Sequence, residues 1–155
     1  MNIFERAVVS VHGRGFYTAM PPLHFHNTRL MAQVARLVEE IGEWHESDHE
    51  INELADIVIV CAQVAWLLSV QINEAVFTTA GLCSEEANLA EMAGMLARSL
   101  RKNDGTMMAM SLACLVGDCV ALAREQGCPD LRPVIEAKLA VDEKRGFGHG
   151  SPRAN

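Results

Sequence analysis

Residues 57–70, IVIVCAQVAWLLSV, run for fourteen positions without a charge. A bilayer span needs about 20 apolar residues, so this run reads as a helix that is apolar on every side and enclosed by other elements. The rest of the chain must supply those neighbours, and its composition favours helices as well. Aromatic residues make up only 5% of the 155, while Ala, Leu, Met, Val and Glu are plentiful. Half of the residues are apolar, enough for one well-filled core.

Breakers divide the sequence into an all-α pattern. A first helix is expected over about 3–12, ending at HGRG, followed by a loop through Pro21-Pro22 and LHFH. Asn27 or Thr28 is the candidate N-cap of a second helix reaching about His45, with Leu30, Val34, Leu37, Val38 and Ile41 as its apolar stripe. Ser47 and Asp48 interrupt that stripe and can cap a third helix, from near His49 to Ser69. A short segment (73–80) closes at Gly81. A fourth helix opens at Ser84-Glu85-Glu86 and ends at the KNDG turn (102–105). A fifth covers 106–126, and a sixth runs from after Pro129-Asp130 to about Arg145. Residues 1–147 read as one all-α domain, and 148–155 as a flexible tail. Within it the hairpin of unit one (27–80) is echoed by unit two (84–145), a tandem pseudo-repeat in a helical bundle. In that register Glu53 and Asp56 fall opposite Ser111 and Cys114, so unit two keeps the helices and lacks the acids.

Charge and cysteine content narrow the partners. A net charge of −7 argues against a broad grip on nucleic acid, which needs clustered Lys and Arg. No segment reads as a targeting signal or a membrane span. Five cysteines with no C-x-x-C pair read as free thiols in a reducing, cytoplasmic compartment.

The stretch EEIGEWHESDHEINELAD (39–56) carries the chemistry. Residues three apart share a helix face, so Glu40 and Glu43 stand together, as do Glu53 and Asp56 on the next helix. A turn between the helices makes them antiparallel and lets the two pairs face one another. Carboxylates gathered in a partly buried space repel unless a cation neutralises them, and oxygen-only ligands select Mg²⁺ or Mn²⁺. Positions 37–56 contain no Lys or Arg to pair with these acids, and Asp56 abuts the apolar run, where an idle charge is costly. The same stretch also contains His45-Glu46-x-x-His49, the pattern of a zinc hydrolase. That motif requires both histidines on one regular helix, whereas Ser47 and Asp48 favour a turn.

The pattern LVEEIGE … ELAD followed by an apolar helix resembles the MazG-type all-α nucleoside triphosphate pyrophosphatases. Their signature is E-E-x-x-E, a gap, then E-x-x-D. It falls here on Glu39, Glu40, Glu43, Glu53 and Asp56. The resemblance covers residues 27–76 and, more weakly, 120–147. There AKLAVDEKRG supplies Lys138, Asp142 (where the family has Asn), Lys144 and Arg145 as phosphate contacts. Only nine residues separate Glu43 from Glu53, fewer than the family usually has. The resemblance implies Mg²⁺-dependent hydrolysis of a (d)NTP to (d)NMP and pyrophosphate. Glu40, Glu43, Glu53 and Asp56 would hold metal, and Glu39, Glu40 or Glu43 would accept a proton. Trp44 is either a stacking surface for a base or a core residue. The alternative is a degenerate member of the fold that binds nucleotide without turnover. Apolar helices, and methionines Met92, Met95, Met107, Met108 and Met110 as soft surface, lead to the expectation of a homodimer.

Overall fold

The computed structural model describes residues 1–13, 22–79 and 87–145, with the backbone alone at 12–13 and 22–28. These residues form six α-helices and one 3-10 turn, with no strand among them: α1 (Ile3–Gly13), α2 (Pro22–Glu46), α3 (Ile51–Leu67), the turn Glu74–Phe77, α4 (Leu89–Lys102), α5 (Gly105–Glu125) and α6 (Arg132–Arg145). The all-α class expected from composition holds. The unit boundary at 80–86 and the tail 148–155 lie outside the described residues.

Helix α3 is the axis of the fold. It packs against α1, α2, α5 and α6, and every residue from Ile57 to Ala65 is buried. The apolar run is therefore the enclosed helix its sequence demands, ending at Leu67 because Ser69 turns left-handed (φ 55°). Helices α2 and α3 form one hairpin, α4 and α5 a second, and the two meet chiefly through α3 and α5. Helix α5 alone among the described helices is long and apolar enough to cross a membrane, and 61% of its apolar window is buried inside the fold.

Helix starts depart from expectation where capping competes with turn signals. Helix α2 begins at Pro22, because proline is preorganised for a first helical position; LHFH is helical, and Asn27 and Thr28 lie inside α2. Helix α3 starts at Ile51 with Glu50 as N-cap and no side-chain cap, since Ser47 Oγ accepts from the Glu50 N–H (3.2 Å) one position early. Helix α4 begins at Leu89 with Asn88 as its cap, accepting from the Glu91 N–H, and Ser84–Glu86 lie outside the described residues. The KNDG turn is as read: Asn103 is left-handed (φ 52°) and Asp104 caps α5.

The buried stripe of α2 is also rotated. Leu37 and Ile41 are buried, but Val38 is 59% exposed, and the line facing the core is Arg29, Gln33, Leu37, Glu40 and Trp44. Met92 and Met108 are core residues, Met95 packs against the core, and Met110 is exposed. Cys61, Cys119 and Cys128 are free thiols, whereas Cys114 is disulfide-bonded, which corrects the reading of uniformly free cysteines. Cys83 lies outside the described residues.

Candidate functional site

The site is made by the turn between α2 and α3. Helix α2 ends as Ser47 N–H and His49 N–H close back on the carbonyls of Glu43 (2.8 Å) and Trp44 (3.2 Å). Asp48 and His49 both take left-handed conformations (φ 60° and 66°), so the chain reverses within four residues. This breaks the helix that H-E-x-x-H requires: His45 closes α2 and His49 stands in the turn. Their rings instead meet Trp44 edge-on, with centroids 4.8 and 4.3 Å from the indole. Trp44 is 6% exposed, which makes it a core residue, and its indole N–H has no partner among the described residues.

The reversal brings three acids together. One carboxylate oxygen from each of Glu40, Glu43 and Glu53 lies within 4.8 Å of the others. That spacing is close to the roughly 4 Å across a Mg²⁺ ion with ligands at about 2.1 Å, so small side-chain movements suffice to close on one. Glu40 is buried, Glu43 exposed and Glu53 between the two. The short gap between Glu43 and Glu53 thus allows the pairs to meet. Burial pushes the Glu40 carboxyl above its usual value, repulsion from Asp56 and Glu43 adds to this, and Arg36 opposes it. A divalent cation would relieve that penalty, and the donor set fits one.

Two cations temper the acidity, and neither falls within 37–56. Arg36, one residue before that interval, reaches Glu40 Oε1 from the preceding turn (3.0 Å). Lys138 extends from α6 to place its Nζ 2.5 Å from Asp56 Oδ2. Asp56 is nevertheless raised by burial and by the neighbouring charges of Glu53 and Asp142, against the pull of Lys138. Burial alone would lower the Lys138 ammonium, but its bond to Asp56 holds it above the ordinary lysine value. Asp142 is half-buried beside this pair, while Lys144 and Arg145 are exposed at the end of α6. Glu39 is exposed on α2, next to Glu40.

The sequence residues therefore fall into two groups. Glu40, Glu43, Glu53, Asp56, Lys138 and Asp142 converge; Glu39, Lys144 and Arg145 lie at the surface, and Trp44 lies inside. Arg36 was missed, although its i,i+4 spacing from Glu40 is a signal visible in sequence. Comparison with protein-family models, with curated proteins and with solved structures finds no match for this chain.

Proposed function

We propose that the chain is a Mg²⁺-dependent nucleoside triphosphate pyrophosphohydrolase of the MazG-like type, cleaving a (d)NTP to (d)NMP and pyrophosphate. The observation that carries this reading is the convergence of Glu40, Glu43 and Glu53 oxygens within 4.8 Å, with Asp56 alongside on the next turn of α3. These four residues would hold Mg²⁺, Asp56 joining once Lys138 turns away; Mn²⁺ suits the same donors. Held there, such an ion would supply charge to offset the triphosphate and would lower the pKa of a coordinated water. Glu39, Glu40 or Glu43 takes the proton of the attacking water, whose oxygen bonds to phosphorus as the α–β bridging oxygen leaves with pyrophosphate. Lys138, released from Asp56, together with Lys144 and Arg145 steadies the phosphates, Arg145 being suited to bidentate contact.

The two helical hairpins fit a tandem pseudo-repeat in which the second serves as scaffold. In the register that sets Ser111 opposite Glu53, the buried Ser111 donates its hydroxyl to the Met107 carbonyl (2.6 Å) instead of offering a carboxylate. A second copy of the chain completes the assembly as a homodimer, in the cytoplasm, where nucleoside triphosphates and Mg²⁺ occur together. One observation favours a second reading, a nucleotide-binding module without turnover: the Lys138 ammonium already neutralises Asp56. Incubation with a panel of NTPs and dNTPs, with separation of products, decides between them. Monophosphate and pyrophosphate in equal amounts support hydrolysis. Orthophosphate and nucleoside diphosphate would mean that the β–γ bond is cut instead, and binding without products would favour the module.

A further inference from the structure

Helix α1 packs against α3, where the Gln63 amide donates to the Ala7 carbonyl (2.9 Å). The chain then turns away from α3 at Ser69 to reach the 3-10 turn at Glu74. These segments enclose a cavity of about 860 Å³, within the range of small-molecule sites. Val8 and Val9 of α1, Ala62, Ala65 and Trp66 of α3, and Ile72 line it. The alanines give it depth, since their side chains stop at Cβ where Ile or Leu would fill the space. Trp66 gives it a wall: Ile57 to Ala65 and Leu67 are buried, yet this indole is 45% exposed. The Arg29 guanidinium, 5.0 Å from the ring centroid, helps to fix its position. Trp66 stands about 15 Å along α3 from Asp56, so the cavity is separate from the carboxylate site.

The lining is also negative. Glu5 and Glu74 border the cavity, and no Lys, Arg or His does among the described residues. Glu5 Oε2 accepts from the Asn2 N–H (2.9 Å) and Glu74 Oε1 from the Ile3 N–H (2.8 Å), so both carboxylates are held at the start of α1. A helix start carries only about half a positive charge, which two carboxylates exceed. The second oxygen of each accepts no hydrogen bond among the described residues. Arg132, whose charge reaches Glu74, is bonded through Nε and Nη2 to Asp130. An apolar space walled by an indole and bordered by two carboxylates complements a flat apolar body that carries an ammonium group. The same carboxylates repel phosphates, so a nucleotide does not suit this cavity.

We propose that this cavity binds an organic amine, its apolar body against Trp66 and its ammonium between Glu5 and Glu74. The probes are phenethylamine and phenylacetate, which share a phenyl body and carry opposite charges at neutral pH. Each is titrated onto the full chain, with binding read by calorimetry and by tryptophan emission. Phenethylamine should bind saturably and change the emission, and phenylacetate should bind about tenfold more weakly or not at all. The emission change should vanish in Trp66→Phe, which leaves Trp44 as the sole indole. Glu5→Gln and Glu74→Gln each keep an oxygen for the helix start and remove one charge, and each should weaken phenethylamine about fivefold. Equal affinity for the two probes would overturn the proposal, as would unchanged affinity in both glutamine variants or an emission change that persists in Trp66→Phe. Absence of phenethylamine binding to wild type at millimolar concentration would overturn it too.

Discussion

Among single residues, Lys138 has the largest bearing on the site. It neutralises Asp56 across the α3–α6 contact, so Lys138→Met leaves a half-buried carboxylate uncompensated. Both side chains keep some exposure (31% and 18%), so the expected loss of stability without divalent ions is about 1–2 kcal/mol, less than for a fully buried pair. Mg²⁺ at millimolar concentration should restore it, as read by chemical denaturation with and without the ion; a loss that Mg²⁺ fails to recover would mean that Lys138 does not share its carboxylate with a metal. Asp118 gives a pH signature away from the site. Burial raises its carboxyl, Glu91 adds to this, and the Asn88 N–H (3.1 Å) opposes it. A raised folded pKa means the contribution to stability is present below the unfolded value near 4 and lost as pH rises through the folded value. Asp118→Asn keeps an oxygen for Asn88 and removes the charge. Its Tm relative to wild type should therefore climb between pH 4 and pH 7; a pH-independent difference would refute this. At this scale the acids were legible, because E-x-x-E spacing places carboxylates on one helix face whatever surrounds them. Lys138 reads in sequence as a phosphate contact, whereas its pairing with Asp56 depends on how α6 docks and has no sequence signal. The burial of Gln33 escaped notice because periodicity weighs apolar residues, and Val34 and Val38 drew the stripe of α2 away from the face that is buried.

Between elements, the α2–α3 turn sets the site. Two successive left-handed residues, neither of them glycine, are needed to reverse the chain within HESDH. Asp48 at the first of these positions strains the backbone, so Asp48→Gly should stabilise the fold by about 0.5–1 kcal/mol. The test is urea denaturation of wild type and variant, and destabilisation would show that the Asp48 side chain supports the turn. The turn was legible in outline, since Ser and Asp leave helices more readily than they continue them. The exact caps were not, because Ser47 satisfies Glu50 rather than opening α3 itself. The start of α2 was misplaced for a related reason: Pro21-Pro22 signals a loop equally well as a first helical turn.

For the whole molecule, enclosure of α3 followed directly from its apolar run, and the all-α architecture from the helical periods around it. The surface did not follow. Of the methionines expected outside, Met92 and Met108 are core, Met95 and Met107 are half-buried and Met110 is exposed, and one exposed apolar line among the described residues is Met31 (74% exposed) and Val38 (59%) on α2, with Ala32 and Ala35 between them. A homodimer would cover this line. Light scattering on the purified chain should give twice 17.0 kDa, and Met31→Lys with Val38→Lys should return it to the single-chain mass. A monomeric wild type would remove the dimer from the account. Whether the facing carboxylates hold Mg²⁺ for cleavage of a nucleoside triphosphate is tested by pyrophosphate release as a function of Mg²⁺ for wild type, Glu40→Gln and Asp56→Asn. Saturable, EDTA-sensitive release by wild type and a loss of about a hundredfold or more in both variants are expected. Release that ignores Mg²⁺, or survives both substitutions, would contradict that role.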